Sequence, residues 1–142
     1  MNNKTLNYLT LIIILIGFPV IVISYFMSGK PVTIYTYAGL ALMIPSFILL
    51  VIARLQLGAS FHVIAQANKL VTSGLYKKFR HPIYYSSLLL VVGLGVFSQN
   101  PMIGIFCLAI IFMQLKRIRN EEKVLQEKFE TEYTDYKKRT WF

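Results

Sequence analysis

Four runs of the chain carry no charged side chain, at about residues 6–27, 34–53, 83–97 and 101–115. Few folds are open to such runs. At about 1.5 Å of rise per helical residue, the first two are long enough to cross a hydrocarbon layer roughly 30 Å thick. A helix also bonds every backbone polar group internally, as lipid demands. The last two runs, about 15 residues each, are short as isolated spans. They read better as a helical hairpin turned at "SQNP" (98–101), with Pro101 tolerated in the first turn of the second helix. The expected fold is all-α: one polytopic membrane domain over 1–142, with about four transmembrane helices, a connecting loop at 54–82 and an amphipathic C-terminal helix at 116–138.

The charges agree with this layout. Only 15% of residues are charged against 56% hydrophobic, where soluble domains carry about 25% charged residues. With four spans, Lys4, the loop at 54–82 and the tail fall on one side, and of the fifteen Lys and Arg residues only Lys30 lies on the other. Positive residues concentrate on the cytoplasmic side, so both termini and the long loop are expected there. The same topology, facing anionic lipid headgroups, accounts for the net charge of +9, and no nucleic-acid partner is inferred from it. The first run exceeds a signal-peptide h-region of about 7–15 residues and lacks a small-residue cleavage site, so it is read as a span. Cys107 is the one cysteine, which excludes an internal disulfide and clustered-cysteine metal sites. No metal is expected. Pro19 and Pro45 inside the first two spans, and Gly93, Gly95 and Gly104 in the hairpin, read as packing features, the glycines letting the hairpin helices approach closely.

All six acidic residues lie between Glu121 and Asp135, so chemistry that needs a carboxylate must draw on the tail. Leu125, Phe129, Tyr133 and Tyr136 recur at helical spacing and form one apolar and aromatic stripe, the ordinary mark of a packing or interfacial face. Arg117 and Glu121, four residues apart, share a helix face just after the last span. Such a pair is either an exposed ion pair of little consequence or a pair of charges facing a site at the membrane surface.

The stretch "YKKFRHPIYYS" (76–86) concentrates polar chemistry where the third run begins. A residue before proline is biased away from helix, and proline suits a helix's first turn. "FRHPIYY" should therefore be a loop feeding into that span, with His81 near a helix N-terminus where unpaired N–H groups and the dipole favour anions. Arg80 and Lys78 add to that preference, so a carboxylate or phosphate is the natural guest.

Three separated blocks, "LVTSGLYKKFRHPIYY" (70–85), "NP" (100–101) and "RIRNEEKVLQEKFETEYTDYKKR" (117–139), resemble in order and spacing the isoprenylcysteine carboxyl methyltransferase family. That family lies within the wider group of membrane methyltransferases that includes phospholipid methyltransferases. The resemblance runs from about residue 61 to 139. It implies S-adenosylmethionine as methyl donor, held by the connecting loop and the tail, and the chain indeed lacks a Gly-x-Gly-x-x-Gly dinucleotide motif. By motif, Gln66, Asn68, Lys69, Leu70, Val71, Tyr76, His81, Pro82, Ile83, Tyr84 and Glu121 would line the cofactor site. Arg117 would face the acceptor and orient it, with Arg80 or Arg139 as alternatives.

Those implied roles are physically reasonable. Glu121 is an acceptor for the cofactor's ammonium group, the basic His81 turn suits its carboxylate, and Tyr76 or Tyr84 could face its sulfonium. The implied acceptor is a lipophilic molecule or prenylated protein reached from the bilayer. A carboxylate acceptor is already ionised and needs no general base, whereas a lipid amine or hydroxyl would need one, for which Glu122 is a weak candidate. Several departures bear on the acceptor: Asn68 stands where many relatives have histidine, Ser86 where glycine is common, and Glu130 where a glycine usually follows Phe129. An NADPH-dependent reductase of the sterol type and a non-catalytic membrane scaffold are the rival readings.

Overall fold

The computed structural model describes residues 3–57 and 74–141, with side chains from Tyr8 onward. Four helices make up almost all of it: α1 (Asn3–Met27), α2 (Ile34–Leu57), α3 (Pro82–Ser98) and α4 (Pro101–Arg139), with a 3-10 turn at Gly74–Lys77 before α3. There is no strand among the described residues. Three helices contain segments long and apolar enough to cross a membrane, whereas α3, at 17 residues, is shorter. The chain is thus an all-α membrane protein.

Each turn follows from local chemistry. Pro82 opens α3 and Pro101 opens α4, where a missing N–H costs nothing. Asn100 caps α4, its side chain accepting from the Met102 N–H at 2.9 Å. Between them Gln99 ends α3 in a left-handed conformation, φ 51°, and the hairpin closes in two residues.

The tightest packing is not where the glycines suggested. A Cβ on Gly93 would lie 2.7 Å from Met43 Cγ, and one on Gly39 would lie 2.6 Å from the Phe97 backbone. Both glycines therefore serve the α2–α3 contact. Gly95 meets only Cys107, at an ordinary 3.8 Å, and nothing lies within 4 Å of a Cβ at Gly104. The α3–α4 hairpin is consequently the looser pair. Between α1, α2 and α3 sits an apolar cluster of Tyr25, Met43 and Phe97, and Phe18 stacks on Phe47 at 4.3 Å.

Two element boundaries differ from the sequence expectation. Arg54 belongs to α2, not to the loop; it is buried and hydrogen-bonds Thr10 of α1. The segments 101–115 and 116–138 form one helix, because no glycine or proline interrupts the helix-favouring residues between them. That helix bends at Glu130, whose φ of 37° and ψ of −106° are non-helical. Gln126 and Thr134 brace the bend by donating to the Glu130 carbonyl at 3.1 and 2.9 Å.

Candidate functional site

The bend turns the tail back onto the entrance to α3. Tyr133 and Tyr136, the last two residues of the stripe, are buried there. The Tyr136 hydroxyl donates to the Tyr76 carbonyl at 2.6 Å, and the Trp141 N–H to the Lys78 carbonyl at 2.9 Å. The 3-10 turn, the loop to Pro82, the start of α3 and the middle of α4 thus converge on one polar region.

Glu122 holds that region together. Its Oε1 lies 3.3 Å from His81 Nε2 and 3.5 Å from Arg80 NH1, and its Oε2 lies 4.0 Å from Lys137 Nζ. His81 is buried, and this burial holds its imidazole below the usual range against the opposing pull of Glu121 and Glu122. The neutral ring then donates its Nε2 hydrogen to the carboxylate. Glu122 is therefore engaged by basic groups.

Beside it lies a second convergence, at the edge of the apolar part of α4. Arg117 sits over the Tyr84 ring at 5.9 Å, and the Tyr84 side chain interacts by hydrogen bonding with both Arg117 and Glu121. The phenol can donate to the carboxylate and accept from the guanidinium. Glu121 also acts electrostatically on Tyr76 and His81. Opposite charges from one face of α4 are thus presented next to an aromatic ring from α3.

The tyrosine hydroxyls here are proton donors. Burial and then Glu121 raise Tyr76 well above the usual phenol range. Burial, with Glu122, pushes Tyr133 up to about 12. Burial also pushes Tyr136 up to about 12 despite the attraction of Arg80. All three therefore stay protonated at neutral pH; Tyr136 gives its hydrogen to the Tyr76 carbonyl and Tyr76 faces the Ala53 carbonyl at 3.5 Å, whereas the Tyr133 hydroxyl has no partner in the fold.

Of the residues expected to line a cofactor site, Tyr76, His81, Pro82, Ile83, Tyr84 and Glu121 fall in or beside this region. Gln66, Asn68, Lys69, Leu70 and Val71 lie outside the described residues. Arg117 and Arg80 are both partly buried here, whereas Arg139 is exposed at the end of α4. Sequence reasoning did not single out Tyr133 and Tyr136 as site residues; their spacing marked a stripe, but only the bend at Glu130 decides what that stripe covers. Among the described residues no cluster of metal-ligating side chains occurs.

Comparison with known proteins gives this geometry a context. The family model described as phospholipid methyltransferase matches residues 34–132. The protein-S-isoprenylcysteine O-methyltransferase of Rattus norvegicus is 34% identical over 116 residues, covering 78% of this chain and 41% of the relative. A probable protein-S-isoprenylcysteine O-methyltransferase of Oryza sativa subsp. indica is 36% identical over 107 residues, 71% of this chain and 56% of the relative. The cobalt-zinc-cadmium resistance protein CzcN of Cupriavidus metallidurans is 38% identical over 74 residues, 51% of this chain and 34% of the relative. The chain spans about half the length, or less, of these relatives.

Proposed function

The chain belongs to the phospholipid methyltransferase family, and from that membership we propose that it is an S-adenosylmethionine-dependent methyltransferase acting on the carboxylate of a lipophilic acceptor at the membrane surface. The observation that carries this reading is the meeting of Glu121, Arg117 and Tyr84 at the edge of the apolar bundle. The comparisons support it through relatives named as isoprenylcysteine O-methyltransferases.

The residues present suit the cofactor. Its amino-acid end is a zwitterion, and this region offers a carboxylate, Glu121, near buried groups that donate hydrogen bonds. Bound there, the cofactor supplies an electrophilic methyl group on a sulfonium. Glu121 holds the ammonium end, and the aromatic face of Tyr84 suits the sulfonium. Tyr76, His81, Pro82 and Ile83 wall the cofactor on the α3 side, and Gln66 with Asn68, Lys69, Leu70 and Val71 is proposed to do so from the connecting loop.

Arg117 is proposed to orient the acceptor. Its guanidinium can hold a carboxylate in a fixed plane, and its place at the apolar boundary suits an anion carried on a lipophilic tail from the bilayer. Arg139, exposed past the bend, is less suited to that task. The acceptor oxygen is already ionised at neutral pH, so the protein need only align it, screen it from water and balance its charge. A single-domain enzyme with both termini in the cytoplasm, where the basic loop and tail meet the methyl donor, completes the proposal.

The test is transfer of a tritiated methyl group from S-adenosylmethionine to N-acetyl-S-farnesylcysteine by the protein in nanodiscs, read as base-labile methyl ester. Transfer by wild type is expected, falling at least about tenfold in Arg117→Ala while cofactor affinity stays within about twofold. Methylation of lipid amines or phenols, with none of the carboxylate, would overturn the acceptor assignment. Binding of NADPH without S-adenosylmethionine would overturn the methyltransferase reading itself.

A further inference from the structure

Three buried side-chain polar atoms among the described residues have no hydrogen-bond partner, Nε and NH1 of Arg80 and the hydroxyl of Tyr133, and Arg80 lies close enough to act electrostatically on Tyr133. Tyr133 is only 1% exposed, which leaves its hydroxyl little access to bulk solvent. Arg80 is 15% exposed at the side chain, and its NH1 is 3.5 Å from Glu122 Oε1, beyond the usual reach of a charge-assisted bond. Buried polar groups are rarely left in this state, and one that persists marks strain or an absent partner. The nearby Tyr136 hydroxyl, by contrast, finds its partner at 2.6 Å.

The orphans define the partner they lack. Guanidinium nitrogens only donate, and a protonated phenol donates one hydrogen. The missing group is therefore an acceptor. Its charge follows from the donors: Arg80 is a cation whose Nε and NH1 lack a hydrogen-bond partner, and its nearest carboxylate, Glu122, stands off at 3.5 Å while also facing His81 and Lys137. An anion with at least two acceptor oxygens fits, as a carboxylate does. Two carboxylates are available under the proposed reaction, the cofactor's and the acceptor's. The acceptor's has Arg117, at the apolar boundary, whereas Arg80 and Tyr133 lie with the α3 entrance and the tail.

We propose that Arg80 Nε–H and Tyr133 O–H jointly receive the carboxylate at the amino-acid end of S-adenosylmethionine, so that the segment beyond the Glu130 bend is part of the cofactor site. This rests on the function proposed above. The zwitterion would then span from Glu121, which takes its ammonium, to the Arg80–Tyr133 pair. Tyr133 is a binding residue here, and the stripe it ends is more than a packing face.

Calorimetric titration of wild type, Tyr133→Phe and Arg80→Lys with S-adenosylmethionine and with its decarboxylated analogue tests this, alongside the thermal midpoint of each ligand-free protein. Tyr133→Phe should bind S-adenosylmethionine about tenfold more weakly and the decarboxylated analogue with unchanged affinity. Its ligand-free midpoint should equal or exceed wild type, because the hydroxyl removed is one that finds no partner without ligand. Arg80→Lys should show the same selective loss. Wild-type affinity for S-adenosylmethionine in Tyr133→Phe, an equal loss for both ligands, or a collapsed midpoint would each overturn the proposal. So would a raised KM for the acceptor carboxylate with cofactor affinity intact, which would give the pair to the acceptor. Failure of wild type to bind S-adenosylmethionine would overturn the underlying function as well, and is distinct from all of these.

Discussion

The two ends of the helical bundle treat their polar side chains in opposite ways. At the end holding the α1–α2 and α3–α4 turns, Gln99 donates to Tyr25 at 2.8 Å and to Thr36 at 3.0 Å, and accepts from Thr33 at 2.9 Å. Tyr25 in turn reaches the Pro31 carbonyl at 3.1 Å. Among the described residues, no buried side-chain polar atom there lacks a partner. At the other end one carboxylate, Glu122, is approached by three basic groups, and Arg80 and Tyr133 are left with donors unspent. Both ends pay conformational entropy to order polar groups, but only the first recovers it within the chain. A closed network is a clasp between helices; under the proposed function, the open one is a site that a ligand completes.

Four changes would break or sharpen that contrast. The largest effect belongs to Glu121→Gln, expected to weaken S-adenosylmethionine binding by about 1–3 kcal/mol, the scale of a lost charge-assisted hydrogen bond, with little change in the ligand-free thermal midpoint. At the closed end Gln99→Ala should do the reverse. It removes three hydrogen bonds and should cost about 1–2 kcal/mol of stability in denaturation, while calorimetry finds cofactor affinity unaltered. Loss of affinity in Gln99→Ala would mean the ends are coupled. Glu130→Gly should stabilise by about 0.5 kcal/mol, because a positive φ costs a residue with a Cβ more than it costs glycine; a lower midpoint would show that the bend depends on the glutamate side chain.

The last effect is a pH slope confined to the open end. Burial holds His81 below its ordinary pKa of about 6.5, so as pH falls the unfolded chain takes up this proton before the folded one. The stability associated with neutral His81 is complete above about pH 6.5 and is lost as pH drops toward the folded value. Thermal midpoints measured across that window should decline on acidification, and less steeply in His81→Asn than in wild type. An equal slope in the two proteins would remove His81 as its source.

The helices were readable in the sequence because lipid leaves charge-free runs little choice. The entrance to α3 was readable too, since the Pro82 ring sets a helix start and His81 must precede it. Helix faces were harder. Gly93 was assigned to the hairpin because α4 is its neighbour in sequence, yet its missing Cβ makes room for Met43 on α2, and spacing along α3 does not say which partner lies opposite. Glu121 and Glu122 stand side by side in sequence, but helical geometry turns them about 100° apart, and only the path of the 74–82 segment decides which one meets Arg80. Tyr133 was hidden for a similar reason. Its burial depends on a reversal of direction at Glu130, where the sequence offers glutamate in place of the glycine that would announce a bend.

The measurement that bears most directly on the open-end account is calorimetric titration of S-adenosylmethionine into the purified protein in nanodiscs, with Glu121→Gln and NADPH titrated in parallel. One saturable site for S-adenosylmethionine, weakened in Glu121→Gln and absent for NADPH, is the expected result. Equal affinity of wild type and Glu121→Gln, or no binding by protein whose thermal transition shows it folded, would contradict it.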